Sequence, residues 1–155
     1  MSESKHKPRS RSLTTAEREE FLAVPQVAVL AINAEPGRPP HAHPTWYSYT
    51  PGGHIGLVLR AGKRKSRLAR AAGLVALVVQ RAEVPYRYVS VEGTVVRQGP
   101  PTADDLAAVG RRYLPEEAIA GWVAGELAGD NPLGPPEYLE IRPDRWTTKD
   151  FSGDR

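Results

Sequence analysis

The chain has 155 residues, which is enough for one domain with a substantial core and too few for two. Its composition, with 40% hydrophobic and 25% charged residues, is that of an ordinary soluble globular protein. The absence of cysteine excludes disulfides, thiolate metal sites and a cysteine nucleophile. No apolar run approaches the roughly 18 residues of a membrane span. The N-terminus is too polar for a secretory signal, so we expect a cytoplasmic protein without a membrane partner.

The formal net charge of +3 is unevenly distributed along the chain. Residues 1–11 carry a net charge of +3, residues 12–59 carry −2, and residues 92–155 carry −5. Residues 60–91 hold eight basic residues against one acidic residue, a net charge of +7. One focused positive segment favours a discrete anionic ligand over a long polyanion, so we do not expect a nucleic-acid partner.

The N-terminal residues predict a tail followed by a helix. Residues 1–11 lack apolar periodicity and are expected to form a disordered basic tail, with a single domain over residues 12–155. Thr14 and Glu17 have the spacing of a capping box, which predicts a helix start. That helix is expected to end before Pro25.

Three strands are predicted next. The unbroken apolar run 27–32 predicts a strand buried on both faces. Residues 41–50 predict a second strand, in which Pro44 indicates an edge position or a bulge. A turn at residues 51–53 leads to a return strand over residues 55–59.

The rest of the chain predicts a short helix ending at Gly73, two strands, two helices and a last strand. The strand over residues 74–79 is apolar throughout and is expected to be fully buried, whereas the strands over 88–96 and 138–142 alternate. Between the last two strands, Thr102 and Pro115 indicate two helix starts. Six mostly sequential strands with a single helix between the third and fourth favour a mainly antiparallel barrel with flanking helices.

The basic segment Arg60-Ala61-Gly62-Lys63-Arg64-Lys65-Ser66-Arg67 is the strongest local signal. It follows a predicted strand and leads into a helix that is expected to begin near Lys65 or Ser66. Free backbone N–H groups, the helix dipole and basic side chains together favour phosphate at such a place. The alternative is a solvated cationic surface loop, and the glycine spacing excludes a Walker loop.

Two further sets of residues precede this segment. His41 and His43 are two apart on a predicted strand and therefore share a face. With no third ligand nearby we expect no metal site there, but a polar edge or a ligand contact. The aromatic residues Trp46, Tyr47 and Tyr49 predict either core packing or a wall for a planar ligand. Such a wall beside a phosphate site would suit a flavin-like cofactor.

Three pieces of the sequence resemble the pyridoxamine-5′-phosphate-oxidase-like proteins. They are the hairpin from His43 to Gly53, the step Lys65-Ser66-Arg67-Leu68, and the strand from Pro85 to Gly93. More narrowly, they are similar to the actinobacterial flavin/deazaflavin oxidoreductases, over roughly residues 13–151. The resemblance implies a six-stranded antiparallel split β-barrel of the FMN-binding type. It also implies a homodimer with two equivalent cofactor sites at the subunit interface.

The resemblance also implies where a cofactor binds. The family holds the cofactor phosphate on the loop and helix start that correspond here to Arg60, Lys63, Arg64 and Lys65. Its motif places a lysine just before this helix, which makes Lys65 the main candidate. The ring system is expected along Pro44, Thr45, Trp46 and Leu59.

Members of this family use either FMN or the deazaflavin coenzyme F420. Sixteen arginines against five lysines are compatible with a high-GC source, which favours coenzyme F420. The implied reaction is hydride transfer between the reduced deazaflavin and a small conjugated or quinone-like substrate, with the chemistry carried by the cofactor. We therefore name no catalytic side chain. The alternatives are an FMN-dependent oxidoreductase and a non-catalytic protein that binds flavin, deazaflavin or haem.

Overall fold

One antiparallel sheet of seven strands forms the body of the protein in a computed structural model, which describes residues 10–152. In spatial order the strands are β2-β1-β5-β6-β7-β4-β3, and the sheet curls into a half-barrel. This confirms the mainly β, antiparallel class with flanking helices. Of the predicted tail over residues 1–11, residues 1–9 lie outside the described part. The strands are β1 (Ala28–Ile32), β2 (His41–Thr45), β3 (Ser48–Tyr49), β4 (Ile55–Arg60), β5 (Leu74–Arg81), β6 (Arg87–Gly99) and β7 (Pro136–Asp150).

The described residues form seven strands and not the predicted six. The prediction of a single strand over residues 41–50 is wrong. This segment is two strands, β2 paired with β1 and β3 paired with β4, at opposite edges of the sheet. Pro44 has no N–H to donate, and the first ladder ends one residue later, where Thr45 lies opposite Ala28. Tyr47 then turns its ring into the core, where its hydroxyl donates to the Leu22 carbonyl at 3.1 Å. The predicted edge position of Pro44 is confirmed.

The barrel is split beside β4. Strand β3 pairs only with Ile55 and Gly56, so the remaining edge of β4, from Leu57 to Arg60, has no strand partner on that side within residues 10–152. Thr45 and Trp46, where β2 ends and the link to β3 begins, line a cavity together with Val58 and Arg60 of this edge. The split therefore leaves a place where strand backbone and linker side chains face each other across a gap.

Strands β1 and β5 are buried on one face only, which corrects the prediction that both are buried on two faces. Leu30 and Leu77 point into the core, whereas Val29 and Val78, which lie directly opposite each other, are 38% and 37% exposed. Leu74 at the start of β5 is 63% exposed. The outer face of these two strands is therefore an apolar surface in the single chain.

The four helices of the described residues are α1 (Thr15–Ala23), α2 (Arg64–Ala72), α3 (Ala103–Tyr113) and α4 (Glu116–Ala128). The predicted caps at Thr14 and Thr102 are confirmed, and each is a complete capping box. Helix α2 begins at Arg64, slightly earlier than predicted, and ends at Gly73 in the left-handed conformation. Within residues 10–152 no helix has both the length and the apolar character that crossing a membrane requires.

Strand β7 is much longer than the predicted 138–142, because it pairs with β6 almost to the end of the described chain. The two strands run side by side from Arg87 to Gly99, with two register shifts. At the far end, Arg11 forms an isolated bridge with Asp150, and its guanidinium lies 3.0 Å from the buried Asp150 carboxylate. Arg11, which was predicted as the last residue of the tail, is thus bound to the barrel.

Candidate functional site

The N-terminus of α2 differs from the other described helix starts because it has neither a capping side chain nor an acidic residue in its first turn. Its N-cap is Lys63, no side chain caps its free N–H groups, and its first turn contains no acidic residue. The first turns of α1, α3 and α4 all contain glutamate or aspartate. Because a helix start carries unsatisfied N–H groups and the positive end of the dipole, α2 presents an anion-binding position.

Two of the four predicted phosphate-binding residues are already paired with carboxylates. The Arg60 guanidinium lies 2.6 Å from Oε2 and 3.1 Å from Oε1 of Glu126, and it also donates to the Gly134 carbonyl at 3.1 Å. The Arg64 guanidinium donates to both oxygens of Glu35, at 2.7 and 3.1 Å. This pairing lowers the pKa of Glu35 to about 2. Two of the five positive charges along residues 60–67 are therefore neutralised by carboxylates of the chain.

Lys65 differs from both arginines. It is partly buried, and no carboxylate of the described residues pairs with its ammonium group. Burial lowers the pKa of Lys65, because a desolvated ammonium ion loses its hydration and gains no counter-charge. Lys63, two residues earlier, is exposed. The structure thus leaves the two lysines, rather than the two arginines, free to bind an anion.

His41 at the start of β2 lies against the same helix start. The Arg64 guanidinium donates to Nδ1 of His41 at 3.0 Å, so that Nδ1 accepts and the ring proton is on Nε2. Burial, together with the charges of His43, Arg64 and Lys65, lowers the pKa of His41 and keeps it neutral. Its Nε2 is buried without a hydrogen-bond partner in the described chain. Because His41 contacts the side chain of Arg64, the first residue of α2, this unpartnered N–H is a candidate donor to an anionic group bound near the helix start.

The two histidines share a face as predicted, and their rings stack with centroids 4.1 Å apart. Among residues 10–152 there is no group of three His, Cys, Asp or Glu side chains that could hold a metal ion. His41 is not among the predicted cofactor-binding residues. Its spacing from His43, which puts both side chains on one face, is the sequence signal that points to it.

Two buried glutamates form hydrogen bonds with residues of the basic segment. Glu126 on α4 accepts from Arg60 and Asn131; burial alone would raise its pKa, but these hydrogen bonds hold the pKa below its ordinary value. Glu137 on β7 accepts from the Ser66 hydroxyl and from Gln98. The contacts of Arg60, Ser66 and Gln98 with these glutamates join residues that are at least 39 positions apart in the chain. They fix both ends of the segment, and no local sequence pattern predicts them.

Thr45, Trp46 and Arg60 line one cavity of about 180 Å³ in the split beside β4. The remaining predicted ring contacts lie elsewhere. Leu59 is only 2% exposed and its side chain is part of the core. Pro44 lies on the outer face, directly opposite Val29. The structure therefore divides the predicted residues between the cavity, the α2 start, the core and the outer face of the sheet.

No family model and no curated protein matches this chain. A conserved hypothetical protein from Mycobacterium tuberculosis has a TM-score of 0.72 at 21% identity, covering 94% of this chain and 90% of that one. An F420 reductase has a TM-score of 0.61 at 23% identity, covering 83% and 94%. A candidate pyridoxamine 5′-phosphate oxidase from Listeria innocua has a TM-score of 0.56 at 13% identity, covering 90% and 98%.

These similarities confirm, at the level of the fold, the resemblance to pyridoxamine-5′-phosphate-oxidase-like proteins. Proteins with this fold carry different activities, so the function must be argued from the site.

Proposed function

We propose that this protein is an oxidoreductase that binds a phosphorylated flavin-type cofactor, with coenzyme F420 as the expected cofactor and FMN as the alternative. The reaction is hydride transfer between the bound cofactor and a small conjugated or quinone-like substrate. One observation carries the proposal: the start of α2 has neither a side-chain cap nor an acid, and Lys65 beside it has no carboxylate partner among residues 10–152.

The residues at this helix start fit a phosphate group. The free N–H groups of α2 donate to its oxygens, and Lys65 supplies the charge that no carboxylate of the described chain takes up. Lys63 adds a second, more exposed charge. Arg64 holds His41 and Glu35 in place, and the orphaned Nε2 of His41 is a further hydrogen-bond donor.

The segment between β2 and β3 is proposed to cover one face of the cofactor ring. Trp46 is held rigidly because its ring stacks on that of Tyr113, with centroids 4.8 Å apart and an angle of 9° between the planes. Tyr113 is fixed in turn by donating to the Gln26 carbonyl at 2.7 Å. When bound, a reduced deazaflavin or flavin supplies the hydride, and the chain's own residues bind it and exclude water.

A binding titration tests this proposal. Purified protein is titrated with coenzyme F420 and with FMN, and cofactor fluorescence reports the dissociation constants. Lys65→Gln is compared with Lys149→Gln, a matched loss of one lysine on β7. We expect Lys65→Gln to weaken cofactor binding by about 100-fold, or about 2.8 kcal/mol, and Lys149→Gln to leave it unchanged. Failure of both cofactors to bind the wild-type protein would refute the proposal.

We also propose that the protein is a homodimer formed by the outer face of β1 and β5. Val29 and Val78 form an apolar pair on this face, and Leu74 extends the apolar surface along β5. Both runs have the unbroken apolar sequence of strands that are covered on two faces. A second copy of the chain would supply the missing cover. Val29 lies between Pro44 on one neighbouring strand and Val78 on the other, directly opposite both. This arrangement would place the ring-binding segment beside the interface.

Sedimentation analysis tests the dimer. Val78→Glu places a charge at the centre of the proposed interface, whereas Val96→Glu places one on an exposed valine of β6. We expect a dimer for the wild type and for Val96→Glu, and a monomer for Val78→Glu. A wild-type monomer at micromolar concentration would refute this part of the proposal.

A further inference from the structure

Another cavity lies between the β3–β4 hairpin, α3 and β7. Its volume is about 500 Å³, which is within the roughly 300–1,000 Å³ of small-molecule pockets. None of the residues proposed to hold the cofactor lines it. We call it the hairpin pocket, and the polar side chains that line it include those of Ser48, Thr50, His54, Arg112, Tyr138 and Glu140.

Glu140, the one carboxylate among these lining residues, has both of its oxygens occupied. Oε1 lies 3.0 Å from Nδ1 of His54, and Oε2 accepts from Nε of Arg97 at 2.9 Å. The hydrogen bonds from Arg97 and His54 hold the pKa of Glu140 below its ordinary value, so it stays ionised and paired. The chain itself therefore satisfies the acidic side of the hairpin pocket.

Arg112 on α3 is not satisfied in the same way. Its Nη2 donates to the carbonyls of Leu22 and Val24, at 2.7 and 3.4 Å, and its guanidinium lies 4.5 Å from the centre of the Tyr47 ring. Its Nε is buried without a partner, and among residues 10–152 neither Nη1 nor any carboxylate completes a pair with it. Because a guanidinium has five N–H donors, Arg112 keeps donors and a charge for an anionic ligand.

Two buried hydroxyls also line the hairpin pocket. The oxygens of Ser48 and Tyr138 are 3.5 Å apart, which is the outer limit of a hydrogen bond. Gly56 allows this approach, because a Cβ atom there would collide with the Tyr138 hydroxyl. Burial raises the pKa of Tyr138, so the hydroxyl keeps its proton. Even if one hydroxyl donates to the other, one proton of the pair is left for a ligand oxygen.

Ala108 leaves room for a ligand beside the guanidinium. It lies four residues before Arg112, on the same face of α3, and it also lines the pocket. A methyl group at this position keeps the space between Arg112 and the hydroxyls open. The hairpin pocket thus combines a ligand-sized space with a cation that no carboxylate of the described chain pairs.

We propose that the hairpin pocket binds a small organic acid, with its carboxylate on Arg112 and the rest of the molecule against Ala108 and the hydroxyls of Ser48 and Tyr138. The planar fork of a guanidinium suits a planar carboxylate, which favours an organic acid as the ligand. The site shares no residue with the proposed cofactor site, so the inference stands or falls independently of the proposed function.

The test titrates the full-length, cofactor-free protein with benzoate, while ¹H–¹⁵N spectra follow the Nε–H of Arg112 and the backbone amides of Thr50 and Ala108. Benzamide, which has nearly the same size and no charge, is the control ligand. We expect saturable shifts with benzoate and at least tenfold weaker binding of benzamide. Equal binding of the two ligands would overturn the role given to Arg112.

Two pairs of variants locate the binding. Arg112→Gln should weaken benzoate binding at least tenfold, whereas Arg111→Gln removes the charge of its exposed neighbour and should leave binding unchanged. Because Arg112 also binds the Leu22 carbonyl, its loss can destabilise the fold. Ala108→Leu therefore fills the pocket from an exposed position and should weaken binding at least fivefold, with Ala124→Leu on α4 as the matched control.

Non-saturable shifts, or wild-type affinity in both pocket variants, would overturn the inference. Lys65→Gln should leave benzoate binding intact, and a loss of benzoate affinity in that variant would show that the acid binds at the start of α2 instead. Normal cofactor binding without benzoate binding refutes the hairpin pocket alone. Normal benzoate binding without cofactor binding refutes the proposed function alone.

Discussion

The starts of α2 and α3 are the most informative contrast in this molecule. At α3, Thr102 and Asp105 form a capping box. The Arg97 guanidinium donates two hydrogen bonds, of 2.8 and 3.0 Å, to the Asp105 carboxylate. At α2, Lys63 occupies the N-cap position, offers no capping oxygen, and is followed by two more basic residues. Of these two helices, only α3 has side chains at its start that cap its free N–H groups.

The difference teaches which helix start is structural and which is available for binding. A cap such as that of Thr102 contributes about 1 kcal/mol to stability, and α2 forgoes that contribution. The start of α2 also includes Lys65, and burial lowers the pKa of its ammonium group. Both features disfavour the isolated chain and favour an anion at the same place. Four predictions test this contrast.

The largest expected effect comes from reversing the charge of Lys65. Lys65→Glu places a carboxylate where the phosphate is proposed to bind, so we expect cofactor affinity to fall by more than about 100-fold. The melting temperature should not fall, since the carboxylate suits the positive end of the α2 dipole. Fluorescence titration and calorimetry measure the two quantities. An affinity within threefold of wild type would contradict the account.

The second prediction makes α2 resemble α3. Lys63→Asp supplies a capping carboxylate, which should stabilise the fold by about 0.5–1 kcal/mol and weaken cofactor binding about tenfold. Urea denaturation gives the stability, and titration gives the affinity. A Lys63→Gln variant is the control that removes the charge without adding a strong cap. A tighter-binding Lys63→Asp variant would show that the helix start is not the phosphate site.

The third prediction concerns the capped helix. Thr102→Ala removes the cap of α3 and should cost about 1 kcal/mol, or about 2–4 °C in melting temperature. Cofactor affinity should stay at the wild-type value, because α3 has no role in phosphate binding. Equal losses of affinity in Thr102→Ala and Lys63→Asp would remove the distinction between the two helices.

The smallest expected effect is a dependence of affinity on pH. Burial lowers the pKa of Lys65, so its ammonium loses its proton at a lower pH than an ordinary lysine near 10.5. Phosphate binding needs the charged form, and affinity should therefore decline by a few-fold as the pH rises from 7 towards that pKa. Lys65→Arg stays charged and should show a flat profile over the same range. Parallel profiles for the two proteins would contradict this assignment.

Local chemistry accounts for what the sequence predicted well. The capping boxes at Thr14 and Thr102, the edge position of Pro44 and the basic start of α2 all rest on residues a few positions apart. The break between β2 and β3 could not be predicted, because it depends on Tyr47 finding a place in a core formed by distant strands.

Long-range pairing accounts for most of what was missed. The long β7 pairs with β6 across two helices, and Pro143 and Asp144 within it look like the end of a strand in sequence. Glu126 and Glu137 read as ordinary acidic residues, yet they are buried and hold the basic segment. The sequence therefore identified the segment that carries positive charge, but not which of its charges the protein itself neutralises.

The most direct test of the central claim compares the two helix starts in one spectrum. Backbone amide signals of Arg64, Lys65 and Ser66 in α2 and of Ala103 and Asp104 in α3 are followed by ¹H–¹⁵N NMR as cofactor is added. The account predicts large, saturable shifts at the α2 start and none at the α3 start, with riboflavin, which lacks the phosphate, producing much smaller α2 shifts than FMN. Cofactor binding that leaves the α2 amides unmoved would contradict it.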